Sequence, residues 1–154
     1  MLCTGAISMT MSVEPGVVDT NVLVYALDSD APHHSASRNL LEAARDGSTT
    51  LFVTSQVLCE FYSIVTNARR VSRPRTSADA VTAISGLLAF LHVLPVPAHA
   101  VEGWISLLSR RPVTGGDVFD LQIVATMKAN DVARIYTFNR DDFEAFAEIS
   151  VVTP

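Results

Sequence analysis

The stretch GVVDTNVLVYALD, residues 16–28, sets the fold of the chain. Its first residues are a short apolar run that predicts a buried strand, and Asp19 closes that run. The residues that follow carry apolar side chains at helical spacing, so we expect a helix to begin directly after Asp19. A buried strand that turns at once into a helix is typical of parallel sheets whose faces are covered by helices.

The same alternation continues to the end of the chain. It predicts an α/β fold with three layers, α/β/α, around a central, mainly parallel sheet with right-handed crossovers. The predicted strands are 16–19, 50–55, 92–96, 133–138 and 149–152, and the predicted helices are 20–28, 34–47, 55 to near Pro74, 76–91, 97–111, 115–131 and 141–146.

Length and composition indicate one soluble domain. The chain has 154 residues, of which 49% are hydrophobic, and this suffices for a single core. We expect residues 1–14 to be a disordered extension and residues 15–154 to be the domain. The sequence has no apolar run long enough to cross a membrane. Its two cysteines form no disulfide framework, Cys59 is expected to be a small core residue, and a cytoplasmic location is predicted.

Asp19 is the first candidate functional residue. In open α/β sheets the functional crevice lies beyond the carboxyl ends of the strands, where Asp19 is placed. It is the only charged residue between Glu14 and Asp28. An aspartate in this position is also a common N-cap of the following helix, so both interpretations stay open.

Glu60 is the second candidate. It is the only charged residue between Asp46 and Arg69, and its helix carries apolar residues at helical spacing. We expect the carboxylate at or near the packed face, where an unpaired charge would cost several kcal/mol. Because no Lys or Arg lies within two helical turns, its partner must come from elsewhere in the fold.

Two further acids, Asp117 and Asp120, are the only charges between Arg111 and Lys128. Their spacing places them on one side of a helix that is just beginning. Asp117 follows two glycines and is most simply the N-cap, with Asp120 completing a capping arrangement. Asp120 nevertheless lies between apolar neighbours, which favours a functional role.

Asp19, Glu60 and Asp120 share an isolation from cations. Clustered carboxylates cannot all ionise in a dry cleft unless a divalent cation binds them. Oxygen ligands without Cys or His favour Mg²⁺, for which Mn²⁺ substitutes. Such a metal orients and activates water for phosphoryl chemistry and stabilises charge on the phosphate.

With these acids identified, the sequence resembles the PIN-domain ribonucleases, and within them the VapC toxins of bacterial toxin–antitoxin pairs. VVDTNVLVYALDSDAPHH is similar to the family's opening strand and helix, SQVLCEFYSIVTNARR to its second acidic motif, and VFDLQIVATM to its third. The resemblance implies that Asp19, Glu60 and Asp120 are catalytic metal ligands. Thr20 and Asn21 match the small polar companions of the first acid, and we predict that they bind substrate.

The segment TFNRDDF resembles the fourth motif of that family. Asn139 stands where the family often has an aspartate, so the fourth carboxylate is either relocated to Asp142 or missing. We predict that Asp142 is catalytic and that Asn139 contacts substrate. Because of this departure, the sequence does not decide between one bound metal ion and two.

The resemblance covers residues 17–152 and implies a function. The protein is expected to be a Mg²⁺-dependent endoribonuclease with a PIN-like fold, the toxin of a VapBC-type pair. It would cleave tRNA, rRNA or mRNA, form a homodimer, and be inhibited by a cognate VapB-type antitoxin.

Arg69 and Arg70 belong to a group of four arginines within seven positions beside the Glu60 helix. They form either a solvated loop or a phosphate-contacting patch, and we predict substrate binding. Because the net charge is -5, RNA must be engaged locally.

Two other classes of function remain. The first is a haloacid-dehalogenase type of phosphotransferase, which needs a second aspartate where this chain has Asn21. The second is a catalytically silent PIN module that binds RNA or protein, which Asn139 would favour if it marks a decayed site. Retention of the three main acids argues against the silent module, and magnesium titration separates the two.

Overall fold

The computed structural model describes residues 12–154 and has a five-stranded parallel sheet in the order β3-β2-β1-β4-β5. The predicted α/β fold is confirmed, and every strand pair is parallel. Of the extension predicted over 1–14, residues 1–11 lie outside the described part. The strands are β1 Gly16–Val18, β2 Leu51–Thr54, β3 His92–Leu94, β4 Arg134–Tyr136 and β5 Ser150–Val152.

Six α-helices connect the strands. None of the helices within residues 12–154 has the length and apolar character needed to span a membrane. A 3-10 turn at Gly115–Asp117 precedes the last helix. The helices are α1 Thr20–Leu27, α2 His34–Arg45, α3 Ser55–Val65, α4 Ser77–Leu88, α5 Ala100–Arg110 and α6 Val118–Ala129.

Two predicted helices are wrong in extent or kind. The helix expected to continue to Pro74 ends at Val65, because the Asn67 side chain accepts a hydrogen bond from the Arg69 N–H and closes a turn. The helix predicted over 141–146 is instead a 3-10 turn at Arg140–Asp142 followed by further turns. These turns bring two buried rings, Phe143 and Phe146, into the core.

The helices form two layers. Helix α1 packs against α2 and α3, α3 packs against α4, and α5 packs extensively against α6. With right-handed crossovers, the first four helices cover one face of the sheet and the last two cover the other. The connectivity therefore gives the predicted α/β/α arrangement.

The centre of the sheet is apolar and tightly packed. Val17 and Val18 of β1 are fully buried between the two helical layers. Gly16 opens the strand because a Cβ atom there would approach the Tyr136 ring to 2.9 Å. The strand order reverses at β1, where the connections run to β2 on one side and β4 lies on the other. This topological switch point is where α/β sheets form ligand crevices.

Candidate active site

A pocket of about 770 Å³ opens beyond the carboxyl end of β1. Four carboxylates from separate parts of the chain line it. Asp19 directly follows β1, Glu60 lies in α3, Asp120 lies in the first turn of α6, and Asp142 ends the 3-10 turn after β4. The other lining residues are Thr20, Asn21, Val24, Tyr25, Gln56, Cys59, Ser63, Ile64, Arg70, Phe119 and Asn139.

Asp19 is buried and held by three hydrogen bonds. Its Oδ1 accepts from the Thr20 N–H at 2.7 Å, and its Oδ2 accepts from Thr137 Oγ1 at 2.7 Å and Asn21 Nδ2 at 2.9 Å. The capping interpretation is confirmed, and because the same carboxylate lines the pocket, its functional role stays a prediction. Because a carboxylate has about four acceptor sites, roughly one remains free for a ligand. Burial, and after it the nearby Glu60 and Asp142 charges, raises the pKa of Asp19 against the lowering effect of the hydrogen bonds.

The Asn21 side chain forms hydrogen bonds that join the start of α1 to the segment after β4. Its amide nitrogen also donates to Thr137 Oγ1 at 3.1 Å, and its oxygen accepts from the Phe138 N–H at 3.1 Å. Thr137 Oγ1 accepts in turn from the Asn139 N–H at 3.0 Å. Both amide hydrogens and the oxygen of Asn21 are thus engaged inside the protein. This geometry favours a positioning role over the predicted substrate contact.

Glu60 is half-buried on the pocket side of α3 rather than enclosed in the core. Its Oε2 accepts a 2.9 Å hydrogen bond from Thr20 Oγ1, and its Oε1 accepts a longer one, 3.5 Å, from Gln56 Nε2. The same Gln56 nitrogen donates to the Phe119 carbonyl oxygen at 3.1 Å. Gln56 therefore connects the Glu60 helix to the residue just before Asp120.

The prediction that Cys59 is a core residue is wrong. Helix α3 buries Val57, Phe61 and Val65, whereas Cys59 is exposed and lines the pocket. The reason is helical geometry, since two residues correspond to about 200° around the axis and place Cys59 opposite Val57. The polar side of this helix thus faces the candidate site.

Asp120 has a strongly raised pKa. Its pKa is raised to about 7, first by burial and then by the charges of Asp142, Asp19, Glu60 and Asp117. At neutral pH a substantial fraction of this carboxyl group would be protonated. A cation in the pocket would offset the repulsion among these acids and favour the ionised form of Asp120.

Asp117 occupies the residue before α6, but its side chain makes no capping hydrogen bond. The predicted cap is therefore wrong. The physical reason is that Asp117 belongs to the preceding 3-10 turn and has helical dihedral angles, φ -63° and ψ -17°, instead of the extended ones of a capping residue.

The polar residues predicted to contact substrate divide into two groups. Thr20, Asn139 and Arg70 line the pocket, and Arg70 is exposed at its edge. Arg69 is exposed but is not among the lining residues. The pocket thus contains one of the two predicted arginines.

The donor set fits a hard divalent cation in its chemistry. The candidate ligands are carboxylate oxygens, and no Lys or Arg within residues 12–154 pairs with Asp19, Glu60 or Asp120 in a salt bridge. In the described part of the chain, no three His, Cys, Asp or Glu side chains are already gathered as ligands of one ion. Binding would therefore draw mutually repelling carboxylates towards each other.

Sequence reasoning missed three residues of this site. Thr137 lies in the TFN segment but attracted no role, although it donates directly to Asp19. Gln56 stands one helical turn before Glu60, and this spacing was a usable signal. Phe119 borders Asp120 in sequence, but nothing in the pattern indicated that it lines the pocket.

Comparison with known proteins agrees with this arrangement. The PIN domain family model matches residues 16–149, a range that includes all four acids. Ribonuclease VapC43 of Mycobacterium tuberculosis is 32% identical over 120 residues, covering 74% of this chain and 79% of that protein.

Two solved structures share the fold at low sequence identity. VapC20 of Mycobacterium tuberculosis, a sarcin-ricin loop cleaving toxin, has a TM-score of 0.66 at 20% identity, covering 90% of this chain and 98% of that one. VapBC2 of Rickettsia felis, bound to a DNA fragment from its promoter, has a TM-score of 0.65 at 19% identity, covering 92% and 99%. The similarity thus extends over nearly the whole chain.

Proposed function

Because the chain belongs to the PIN-domain family, and within it to the VapC ribonucleases, we propose that it is a metal-dependent endoribonuclease and the toxin of a toxin–antitoxin pair. The names of its relatives support the ribonuclease activity. The carboxylate pocket supports the metal dependence, since no Lys or Arg within residues 12–154 forms a salt bridge with Asp19, Glu60 or Asp120.

The observation that carries this proposal is the convergence of four acids that lie far apart in the sequence. Asp19, Glu60, Asp120 and Asp142 come from four different elements and line one pocket. Their mutual repulsion contributes to a pKa of about 7 for Asp120. Such an arrangement is destabilising without a cation and is therefore best explained by a ligand that requires it.

The three acids Asp19, Glu60 and Asp120 would hold Mg²⁺, with Mn²⁺ as a substitute. When bound, the cation supplies positive charge to the phosphate and lowers the pKa of the attacking water. The chain's own residues fix the acids beforehand. Thr137 and the Thr20 backbone orient Asp19, and the Thr20 hydroxyl orients Glu60.

Substrate would enter from the open side of the pocket. Arg70, an exposed lining residue, can pair with a phosphate of the RNA, and Asn139, which also lines the pocket, carries an amide that can donate to the RNA. Asp142, exposed at the rim, provides a fourth carboxylate where the family often has one at position 139.

The relatives also suggest partners. We propose a cognate VapB-type antitoxin that covers the pocket, a homodimeric toxin, and a cytoplasmic location. The RNA substrate would be a tRNA, an rRNA or an mRNA. The toxin–antitoxin names of the structural neighbours support the antitoxin.

Mapping RNA ends after brief expression in cells tests the activity. Wild-type protein should generate new ends at defined sequences, and Asp120→Asn should generate none. New ends that appear equally with the variant would contradict the proposal. RNA binding without any cleavage would point instead to a catalytically silent module.

A further inference from the structure

Phe119 is an exposed aromatic residue among those that line the acidic pocket. It is 50% exposed, and it lines the same pocket as the four carboxylates. It is also the neighbour of Asp120 in sequence, in the first turn of α6. A single exposed apolar residue needs no explanation by itself. Phe119 differs from the other large exposed apolar residues of the described chain because it borders the acids of the pocket, where an aromatic ring can contact a bound ligand.

The Phe119 ring is free, in contrast to the other aromatic side chain of the pocket. Tyr25 packs against His33, with ring centroids 5.3 Å apart, and against Phe138, at 5.5 Å. No aromatic ring or arginine of residues 12–154 stacks on Phe119. A Cβ atom added at Gly116 would lie 4.0 Å from Phe119 Cδ2, so the ring passes close to the 3-10 turn before α6.

The backbone of Phe119 is fixed relative to the acids. Gln56 Nε2 donates to the Phe119 carbonyl oxygen at 3.1 Å and reaches Glu60 Oε1 at 3.5 Å. Both partners are acceptors, so the orientation of the Gln56 amide is determined. The main chain of Phe119 is therefore held beside the carboxylates.

We propose that Phe119 stacks on an unpaired nucleobase next to the phosphodiester bond that is cleaved. This inference rests on the proposed ribonuclease function and assigns a contact with one base of the substrate to Phe119. Base–aromatic stacking accepts any base and requires an exposed base face, which a paired base in a helix does not offer.

Charge makes such a contact important here. The net charge is -5, and Arg70 is the one Lys or Arg among the described residues that line the pocket. Electrostatic attraction to the RNA is therefore weak and decreases with salt, whereas stacking is little affected by salt. Phe119 should consequently dominate substrate affinity at elevated ionic strength.

The test uses a set of single-stranded oligoribonucleotides, each with 2-aminopurine at one position, and measures both their cleavage and the quenching of 2-aminopurine fluorescence. Phe119→Ala should lower kcat/KM by roughly 5- to 100-fold, mainly through KM, and remove the fluorescence quenching caused by stacking. Phe119→Trp should restore both readouts, and Phe119→Leu should restore neither. Ile105→Ala is the matched control, because Ile105 is 48% exposed on α5 and does not line the pocket.

Several outcomes would overturn the inference. If wild-type protein cleaves RNA and Phe119→Ala or Phe119→Leu cleaves equally well, the ring does not stack. If Phe119→Ala keeps cleavage and quenching but loses self-association, the ring is a protein contact. If wild-type protein quenches 2-aminopurine through Phe119 without cleaving, stacking holds and the ribonuclease proposal fails; if it does neither, both fail.

Discussion

The Thr20 hydroxyl donates a 2.9 Å hydrogen bond to Glu60 Oε2, although the two residues are 40 positions apart. Thr20 is only 5% exposed and opens α1, directly after Asp19. The bond therefore links the residue that follows the first acid to the carboxylate of the second. This hydrogen bond fixes the position of Glu60 Oε2 and joins α1 to α3 beside the pocket.

Thr20→Val should weaken metal binding without unfolding the protein. Valine has the same shape but cannot donate to Glu60, and loss of such a supporting hydrogen bond typically costs about 10- to 100-fold in metal affinity. Calorimetric titration with Mn²⁺ measures the effect. Thr82→Val is the matched control, because the Thr82 hydroxyl bonds only to the Ala78 carbonyl on exposed α4. Equal Mn²⁺ affinity in both variants would show that the Thr20–Glu60 bond is irrelevant to the site.

Asp120 should make the metal-free protein less stable as pH rises. Its folded-state pKa of about 7 lies above the unfolded value of about 4. Its favourable contribution is therefore complete below pH about 4 and is lost as pH rises to about 7. Relative to Asp120→Asn, wild-type protein should lose unfolding free energy across this range. Urea unfolding in EDTA at several pH values measures the difference, and a difference that does not vary with pH would contradict the raised pKa.

Asp117→Ala should be nearly silent. Because the Asp117 side chain makes no capping hydrogen bond, we expect a stability change within about 0.5 kcal/mol and retained cleavage. Thr76→Ala serves as the positive control, since Thr76 Oγ1 does accept from the Asp79 N–H, and its loss should cost about 0.5–2 kcal/mol. Loss of cleavage in Asp117→Ala would mean that the third acidic motif is shifted by one turn.

Asp142→Asn should reduce cleavage by about 10-fold or more, as expected for loss of a carboxylate that supports a metal site. Asp142 lines the acidic pocket and is the largest source of charge repulsion on Asp120. The neighbouring Asp141 is outside that pocket, so Asp141→Asn is the control and should cleave normally. Full activity in Asp142→Asn would remove Asp142 from the catalytic set.

The sequence was sufficient to predict the parallel sheet and to single out three of the acids that line the pocket. Residues 16–28 indicated a buried strand leading into a helix, and the isolated charges indicated Asp19, Glu60 and Asp120, because both signals depend on local burial. The orientation of a side chain around its helix was harder to predict, as Cys59 shows. Cys59 follows three residues that include Val57 and Leu58, but it lies on the side of α3 that faces the open pocket, so it is exposed.

Contacts between distant segments could not be predicted from the sequence. Thr137 bonds to Asp19 across 118 positions, and Gln56 bonds to Phe119 across 63. Neither residue differs locally from an ordinary polar residue at the end of a strand or on the surface of a helix. Only the strand order, which places β4 beside β1, brings Thr137 to the first acid.

The central claim is that Asp19, Glu60 and Asp120 hold a divalent cation that RNA cleavage requires. The most direct measurement is the cleavage rate of one defined RNA by purified protein during Mg²⁺ titration, followed by EDTA. We predict a saturable rise with Mg²⁺, complete loss in EDTA, recovery with excess Mn²⁺, and no cleavage by Asp19→Ala, Glu60→Ala or Asp120→Ala variants that fold normally. Undiminished cleavage in EDTA by the wild-type protein would contradict the account.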